Sequence, residues 1–413
     1  MTDQVSEAAT QTPAASTRES RAANRAPDPT SVARPTTLAE AHQAVADSAG
    51  TLLIRAGGTS LDWGAPVPDP DLVIDTTGMN RLITHNPADM TVAVQAGTRL
   101  TDLQQALAPA GQWLAVDPST GAVGATVGGL LATGDAGPHR LVHGALRDLV
   151  IGMTVVLGDG TVARSGGHVI KNVAGYDLGK LFAGSLGAFG LVTELVLRVH
   201  PRPAASITLA VPADPAGALA ASQAVRASTL EAVAVEWDGS RLLVRLTGTP
   251  DGVAARRRAA RDLSWLADAE ELVGDAEQAA WDTLAQTNRG TDTDTVVRVG
   301  TRPDRLPEVA EALRQAAAQA GVTAELTSSV AVGVHTARVS GGQADGHAAF
   351  LRDWRQAVHG LGGTVTLRRR RDGVDALVPA WGPARPTVGL LRALKQQFDP
   401  DDRFAPGRFA PWF

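Results

Sequence analysis

From Pro35 onward, hydrophobic and polar residues fall into short runs that switch between helical and strand periods. Thr37-Leu38-Ala39-Glu40 is a capping-box sequence, and Ala41, Val45 and Ala46 keep one helical face behind it, which predicts a helix start. The apolar run TLLIR (51–55) has strand length and stops at Gly57-Gly58; LVI (72–74) and TVAVQ (91–95) predict two more strands. A helix is expected from Arg99 to about Ala108, behind a Thr98 cap. In VIGMTVVLGDGTV (150–162), Asp159-Gly160 separates two apolar runs and predicts a hairpin. A further helix is expected over 175–183, and LVTELVLRV (191–199) alternates as a half-buried strand until Pro201 and Pro203 end it.

A domain boundary is expected near Pro203, because the chain beyond it is rich in Ala and Arg and poor in clustered Gly. Its second half predicts strand 295–300, helix 304–320, strands 322–327 and 331–339, helix 344–359 and strand 363–368, a ferredoxin-like βαββαβ order. The part before it opens similarly, with the hairpin VAVEWDGSRLLVRL (233–246) between two Ala-rich helices and a last strand that is missing or displaced. The fold class is therefore α+β. The expected organisation is a tail over 1–30, a first domain over 31–204, a cap over 205–370 and a C-terminal segment over 371–413 that returns to the first domain.

Composition narrows the function. A chain of 413 residues with 44% hydrophobic and 20% charged residues holds two or three packed domains and is not disordered throughout. The net charge of −5, without any long basic tract, argues against a nucleic-acid partner. There is no Cys, so this polypeptide supplies no disulfide, thiolate nucleophile, zinc ribbon or iron–sulfur ligand, and no metal site is expected. The first thirty residues lack an apolar core and read as a disordered tail rather than a secretory signal. No run of about 18 apolar residues occurs, so no transmembrane segment is expected and the default location is cytoplasmic.

Three segments could carry chemistry. In RAGGTS (55–60), directly after a strand, small residues let backbone N–H groups converge on phosphate oxygens while Thr59 and Ser60 add hydroxyls; the plain alternative is a Gly-Gly turn. In DPSTGAVGATVGGLLATGDAG (117–137), glycines recur without a period, which suits a large flat ligand or, alternatively, close contacts between elements. The third, KNVAGYDLGKLFAGSLGAFGLVTEL (171–195), holds the single tyrosine, Tyr176, and two of the three lysines, Lys171 and Lys180, whose plain reading is an exposed helix face. Gly175, Gly179 and Lys180 miss Walker A spacing, and Gly184, Gly187 and Gly190 miss the GxGxxG spacing of a nicotinamide site.

In this order and spacing, the three segments resemble the FAD-binding domain of the vanillyl-alcohol oxidase or PCMH-type family, over about residues 31–204. The string VLGDGTVARSGGHVIKNVAGYDLGKLFAGSLG, the short middle region and the ending FDPDDRFAPGRF are most similar to the GlcE-type FAD-binding subunits of glycolate oxidases. The resemblance implies a two-subdomain FAD-binding domain with a cap. It assigns Arg55, Ala56, Gly57, Gly58, Thr59 and Ser60 to the FAD pyrophosphate, with Gly58 a position where a bulky residue abolishes FAD retention. Pro118, Gly121, Gly124, Ala125, Thr126, Gly128 and Gly129 would line the ribityl and isoalloxazine side, with Gly134 closing that turn. Asn172, Val173, Ala174 and Gly175 would run along the cofactor, with Gly190 and Val192 near the adenine. Some relatives tether FAD through a His after the Gly pair; Thr59 and Ser60 stand there, which implies a noncovalent cofactor. Two departures stand out: the family's NPG element is Ala405-Pro406-Gly407, and Leu186 replaces the Glu of a GSEG motif.

The resemblance further implies oxidation of a 2-hydroxy acid such as glycolate or D-lactate, with a GlcD-like flavoprotein and a GlcF-like iron–sulfur subunit as partners and membrane association through them. Such oxidation needs a base for the hydroxyl proton and a cation for the carboxylate. His335, Arg338, His168, His143 and the run Arg368 to Arg371 are the candidates; for that run a solvated strand end is favoured, for His335 a satisfied core histidine, and no catalytic residue is assigned. Two other readings stay open, a free-standing FAD-dependent 2-hydroxy acid dehydrogenase and a flavin-free scaffold.

Overall fold

The computed structural model describes residues 31–167, 177 and 179–413. Residues 1–30, His168, Lys171, Asn172, Val173, Ala174, Gly175 and Tyr176, for which the sequence raised expectations, lie outside the described residues.

The chain opens with β1 (Ser31–Ala33), α1 (Leu38–Ala46), β2 (Leu52–Arg55) and β3 (Leu72–Asp75), the three strands forming a parallel sheet with β3 central. Thr37 caps α1 by accepting the Glu40 N–H at 3.2 Å, while the Glu40 carboxylate reaches one residue beyond the expected box and accepts the Thr36 N–H at 2.7 Å. Ala41 and Val45 thereby press onto Leu52 and Ile74 in one apolar cluster.

Next come β4 (Leu82–Asn86), β5 (Thr91–Gln95), α2 (Leu100–Leu107), β6 (Gln112–Trp113), α3 (Val127–Thr133), α4 (Arg140–His143), α5 (Leu146–Leu149), β7 (Val150–Val156), β8 (Val162–Gly166), α6 (Gly179–Phe182), β9 (Leu191–Arg198) and β10 (His200–Pro201). Strands β4, β5, β9, β7 and β8 form a second, antiparallel sheet in that order. The hairpin β7–β8 turns at Gly160 (φ +84°), and β9 alternates buried with half-buried positions. The expected Thr98 cap of α2 is absent. Arg99 holds the N-cap position without a side-chain bond, and the first helical N–H, of Leu100, goes to the Ala125 carbonyl at 2.9 Å. A crossing backbone has replaced the hydroxyl.

The third sheet starts with β11 (Ala205–Pro212), α7 (Pro215–Ala227), β12 (Ala234–Trp237), β13 (Arg241–Gly248), α8 (Pro250–Ala260) and β14 (Glu270–Leu272). After α9 (Asp275–Arg289) it continues with β15 (Thr295–Gly300), α10 (Leu306–Ala320), β16 (Thr323–Ser329), β17 (Val334–Ser340), α11 (Ala344–Gly360) and β18 (Thr364–Arg369). The strand order β14-β11-β13-β12-β16-β17-β15-β18 is two ferredoxin-like βαββαβ units joined edge to edge through β12 and β16. The last strand of the first unit, expected to be missing or displaced, is β14: three residues, two of them Glu, on the sheet edge beside β11. A short charged edge resists pairing with other chains but leaves no apolar run to read. Apolar residues of β13, β15 and β18 pack with α7, α10 and α11 in the main core. Alternate positions on the opposite face carry Glu236, Arg298 and Arg368, while α9 covers part of that face with Trp281 and Leu284.

Helix α12 (Val388–Phe398) leads back to the first sheet, where the Leu52 N–H donates to Arg403 O (2.7 Å) and the Ala405 N–H to Leu52 O (2.8 Å). Lys395 fastens this return: its buried ammonium donates to Ala188 O, Phe404 O and Asp399 Oδ2 at 2.6–2.9 Å.

Candidate functional site

A groove of about 880 Å³, counted out to open solvent, runs between the 56–60 loop and the start of α3. Ala56, Gly57, Gly58, Thr59, Ser60, Thr126, Gly128, Gly129, Gly190 and Val192 line it, so the structure gathers the ten residues from three separate segments. Arg55 stands behind the loop, tied to Asp75 at 3.0 Å. Gly124, Ala125 and Gly134 lie outside the lining: Ala125 is buried, and Gly134 ends α3 in the left-handed region.

Much of the glycine density serves the protein's own packing. A Cβ on Gly57 would stand 2.0 Å from the Gly124 carbonyl oxygen, and one on Gly128 2.7 Å from the Ala96 Cβ. The loops touch backbone to backbone there, so bare positions are needed with or without a ligand. Gly58 differs: its φ is +72° and an added Cβ meets nothing nearer than 3.9 Å.

The sequence reading missed Arg408. The turn Ala405-Pro406-Gly407 (φ +45° at Ala405, +75° at Gly407) carries it into the groove wall, where Nη1 donates to Leu61 O, Trp63 O and Ala65 O at 2.8–3.1 Å. Burial lowers its pKa to about 10, so it stays charged at neutral pH, and its Nε is buried without a partner. A cation with an unspent donor in a wall of backbone and small side chains fits the diphosphate of a dinucleotide. Ala405 itself packs with Leu53 and Val73. Leu186 is a groove residue in a left-handed conformation (φ +50°).

A second, larger cleft of about 2190 Å³, likewise counted out to open solvent, lies between the first domain and the third sheet. Pro118 and Gly121 line it, with Trp113, Asp117 and His139 on one side and Arg245, Trp281, Arg289 and Arg298 on the other. Behind it is a buried charge junction. Asp135 accepts from Arg368 Nη1 at 2.7 Å and lies 3.8 Å from Arg298 Nη2. Burial works to raise the Asp135 carboxyl, but Arg368 and Arg298 outweigh it and hold it below its usual value. The Ser329 hydroxyl donates to Glu236 at 2.9 Å, and burial pushes the Glu236 pKa up to about 8. Burial, then Arg368 and Arg140, lower Arg298 well below the ordinary guanidinium range.

The favoured reading of Arg368–Arg371 as a solvated strand end is corrected here. Arg368 is buried and stacks 4.0 Å over the Trp63 ring; Arg370 is buried and donates to Gly64 O; Arg369 pairs with Asp292 at 2.5 Å. The strand end is covered by the first domain, whose Asp135 and carbonyls satisfy the charges. His335 is the satisfied core histidine expected: its ring nitrogens face the Thr301 and Ser328 hydroxyls at 2.9 Å, and burial lowers its pKa to about 4. Arg338 pairs with Glu325 and Lys180 with Asp177, both at the surface. His143 stacks edge-on against His200 at 4.7 Å; burial, then His200 and His139, lower its pKa to about 4. His139, which no sequence motif marks, has its Nδ1 2.8 Å from Asp117 Oδ2.

Fold and groove define an α+β flavoprotein architecture of the PCMH type. Residues 29–166 match the family model described as FAD binding domain. Over 172 residues it is 38% identical to glycolate oxidase subunit GlcE of Escherichia coli (strain K12), covering 42% of this chain and 48% of that protein. Glycolate oxidase subunit GlcD of Bacillus subtilis (strain 168) is 37% identical over 155 residues, 38% of this chain and 33% of GlcD. The chain thus spans less than half the length of these curated relatives. An alkyldihydroxyacetonephosphate synthase structure superposes with a TM-score of 0.70 at 17% identity, covering 91% of this chain and 76% of that one, a likeness of fold. Among the described residues, no helix is long and apolar enough to cross a membrane.

Proposed function

We propose that this chain binds FAD noncovalently and serves as the FAD-binding subunit of a glycolate oxidase-like complex that oxidises a 2-hydroxy acid such as glycolate or D-lactate. The observation that carries the reading is the groove, where three glycine-bearing segments and the unspent donor of Arg408 converge. The 55–60 loop and Arg408 hold the diphosphate. Thr126, Gly128 and Gly129 continue the groove, Pro118 and Gly121 face the ring from the second cleft, and Gly190 and Val192 bound the adenine end. When bound, the flavin supplies a two-electron acceptor for the substrate's α-hydrogen. The protein's share is to bind the carboxylate, orient the hydroxyl and take its proton.

In this reading the first domain spans 31–204 and the cap 205–370, with 371–413 returning to the first domain. The similarity to two glycolate oxidase subunits supports GlcD-like and GlcF-like partners, the latter supplying the iron–sulfur centres that a chain without Cys does not. The location is cytoplasmic, with membrane association through the partners. A second reading is a dehydrogenase acting alone, with Asp117, His139 and Arg298 lining one cleft.

The deciding experiment is isolation of the full chain from its native cells. One FAD per chain, released intact by acid, together with co-isolated flavoprotein and iron–sulfur subunits, is the expected result. A colourless chain that FAD does not reconstitute refutes the reading, and a solitary yellow chain reduced by glycolate favours the second one.

A further inference from the structure

The irregular stretch 61–65 continues the 56–60 wall of the groove through Leu61 and Trp63, and its carbonyls are met by arginines 306 to 347 positions away. Arg408 Nη1 donates to Leu61 O, Trp63 O and Ala65 O, and Arg370, directly after β18, donates to Gly64 O. Buried carbonyls are costly to leave unpaired, so this wall depends on its distant donors. A Cβ added to Gly64 would stand 3.0 Å from both Arg408 and Leu186, so Gly64 packs directly on the rest of the groove wall. Arg368 grips both sides. It stacks 4.0 Å over the Trp63 ring on this wall, and its Nη1 donates to Asp135 Oδ1 at 2.7 Å. Asp135 lies just past the end of α3, whose Gly128, Gly129, Ala132 and Thr133 form the other wall. One buried guanidinium thus ties the two walls together, by a cation–π contact on one and an ion pair on the other. Among the described residues, none of β18 lines the groove, so the third sheet bears on it through the wall that these arginines hold.

We propose that Arg368 and Arg370 are positioning residues of the groove, and that through Trp63 and Gly64 the docking of the third sheet and the occupancy of the groove by FAD reinforce each other. The inference rests on the FAD binding proposed above and adds what regulates it. With the walls fixed by a bound dinucleotide, Trp63 presents Arg368 with a fixed ring, and the end of β18 is held more firmly. With the end of β18 loose, Trp63 and Gly64 lose their support and the groove loses its shape. The coupling is reciprocal: the factor by which docking of the sheet tightens FAD binding is the factor by which FAD tightens docking.

The test uses the full chain, stripped of flavin and titrated with FAD, and two readouts. Amide hydrogen exchange over 364–371 in the parent is expected to slow about fivefold or more at saturating FAD. Fluorescence titration is expected to show FAD affinity about tenfold weaker in Arg368→Met and in Trp63→Ala, and within about threefold of the parent in Trp63→Phe, which keeps the ring. The double variant Trp63→Ala with Arg368→Met is expected to lose about as much as the weaker-binding single variant, because the same contact is removed twice. Arg370→Met, expected to weaken FAD binding about threefold or more, serves where Arg368→Met leaves Asp135 short of a cation and fails to fold. An arginine with a merely structural role would lower the melting temperature of its variant and leave FAD affinity alone. The two proposals fail differently. If FAD binds the parent but exchange over 364–371 is the same with and without it, or if folded Trp63→Ala and Arg370→Met bind FAD like the parent, the coupling falls and the FAD reading stands. If the folded parent binds no FAD, the FAD reading fails and the coupling with it.

Discussion

Replacing Gly57 by Ala puts a methyl group into the contact that sets the groove's width. The added Cβ would lie 2.0 Å from the Gly124 carbonyl oxygen and 3.0 Å from its carbon, against an ordinary non-bonded separation of about 3.5 Å. Both neighbours are backbone, so no rotamer change relieves the clash, and the two loops must part by on the order of 1 Å. Overpacking of this kind costs about 1–3 kcal/mol. Those loops are also the walls that carry Thr59, Ser60, Thr126 and Gly129, so a diphosphate held there, as proposed, would lose its fit as they spread. At about 1.4 kcal/mol per tenfold, a loss of that size weakens FAD binding by roughly 10- to 100-fold. Gly58→Ala is the control. Its Cβ finds open space, and the cost is the left-handed backbone, about 1–2 kcal/mol. Fluorescence titration of the FAD-free chain, paired with thermal unfolding, reads both effects. Gly57→Ala is expected to lower the melting temperature and the FAD affinity together, and more than Gly58→Ala does. Parent-like FAD affinity in Gly57→Ala would show that the loop contact does not shape the groove.

Arg408→Gln removes the groove's buried cation, and since hydrogen bonds to charged groups contribute about 1.5–3 kcal/mol each, FAD affinity is expected to fall at least tenfold; unchanged flavin content after gel filtration refutes this. Glu236 has a folded-state pKa of about 8, above its unfolded value, so it binds its proton more tightly when folded and the protein loses stability as pH rises from about 4.5 through 8. Glu236→Gln is expected to flatten that slope, a difference on the order of a few kcal/mol, and equal denaturation midpoint shifts between pH 5.5 and 8.5 in parent and variant contradict it. Lys395→Met leaves the buried Asp399 without its cation and is expected to cost about 3–5 kcal/mol, with Asp399→Asn recovering part; a loss below about 1 kcal/mol in urea unfolding speaks against the lysine as the fastening of the C-terminal return.

Local pattern settled a large share of this molecule. The run TVAVQ is β5 to the residue, 295–300 is β15, and Asp159-Gly160 turns the hairpin, because period, turn chemistry and Gly placement act over a few residues. The glycine segments likewise announced the FAD-binding domain, since bare backbone positions are visible in a sequence whatever lies around them. What the pattern left open was the fate of charges. Arg368 looks like any exposed arginine until Asp135, 233 positions away, meets it, and Arg408 enters the groove wall only because Leu61, 347 positions away, offers a carbonyl. Strand β14 was hidden for a related reason, as three edge residues gain their identity from β11 rather than from their own composition. Short-range order is written in neighbouring residues, whereas the burial of a charge depends on partners that only the folded chain brings within reach.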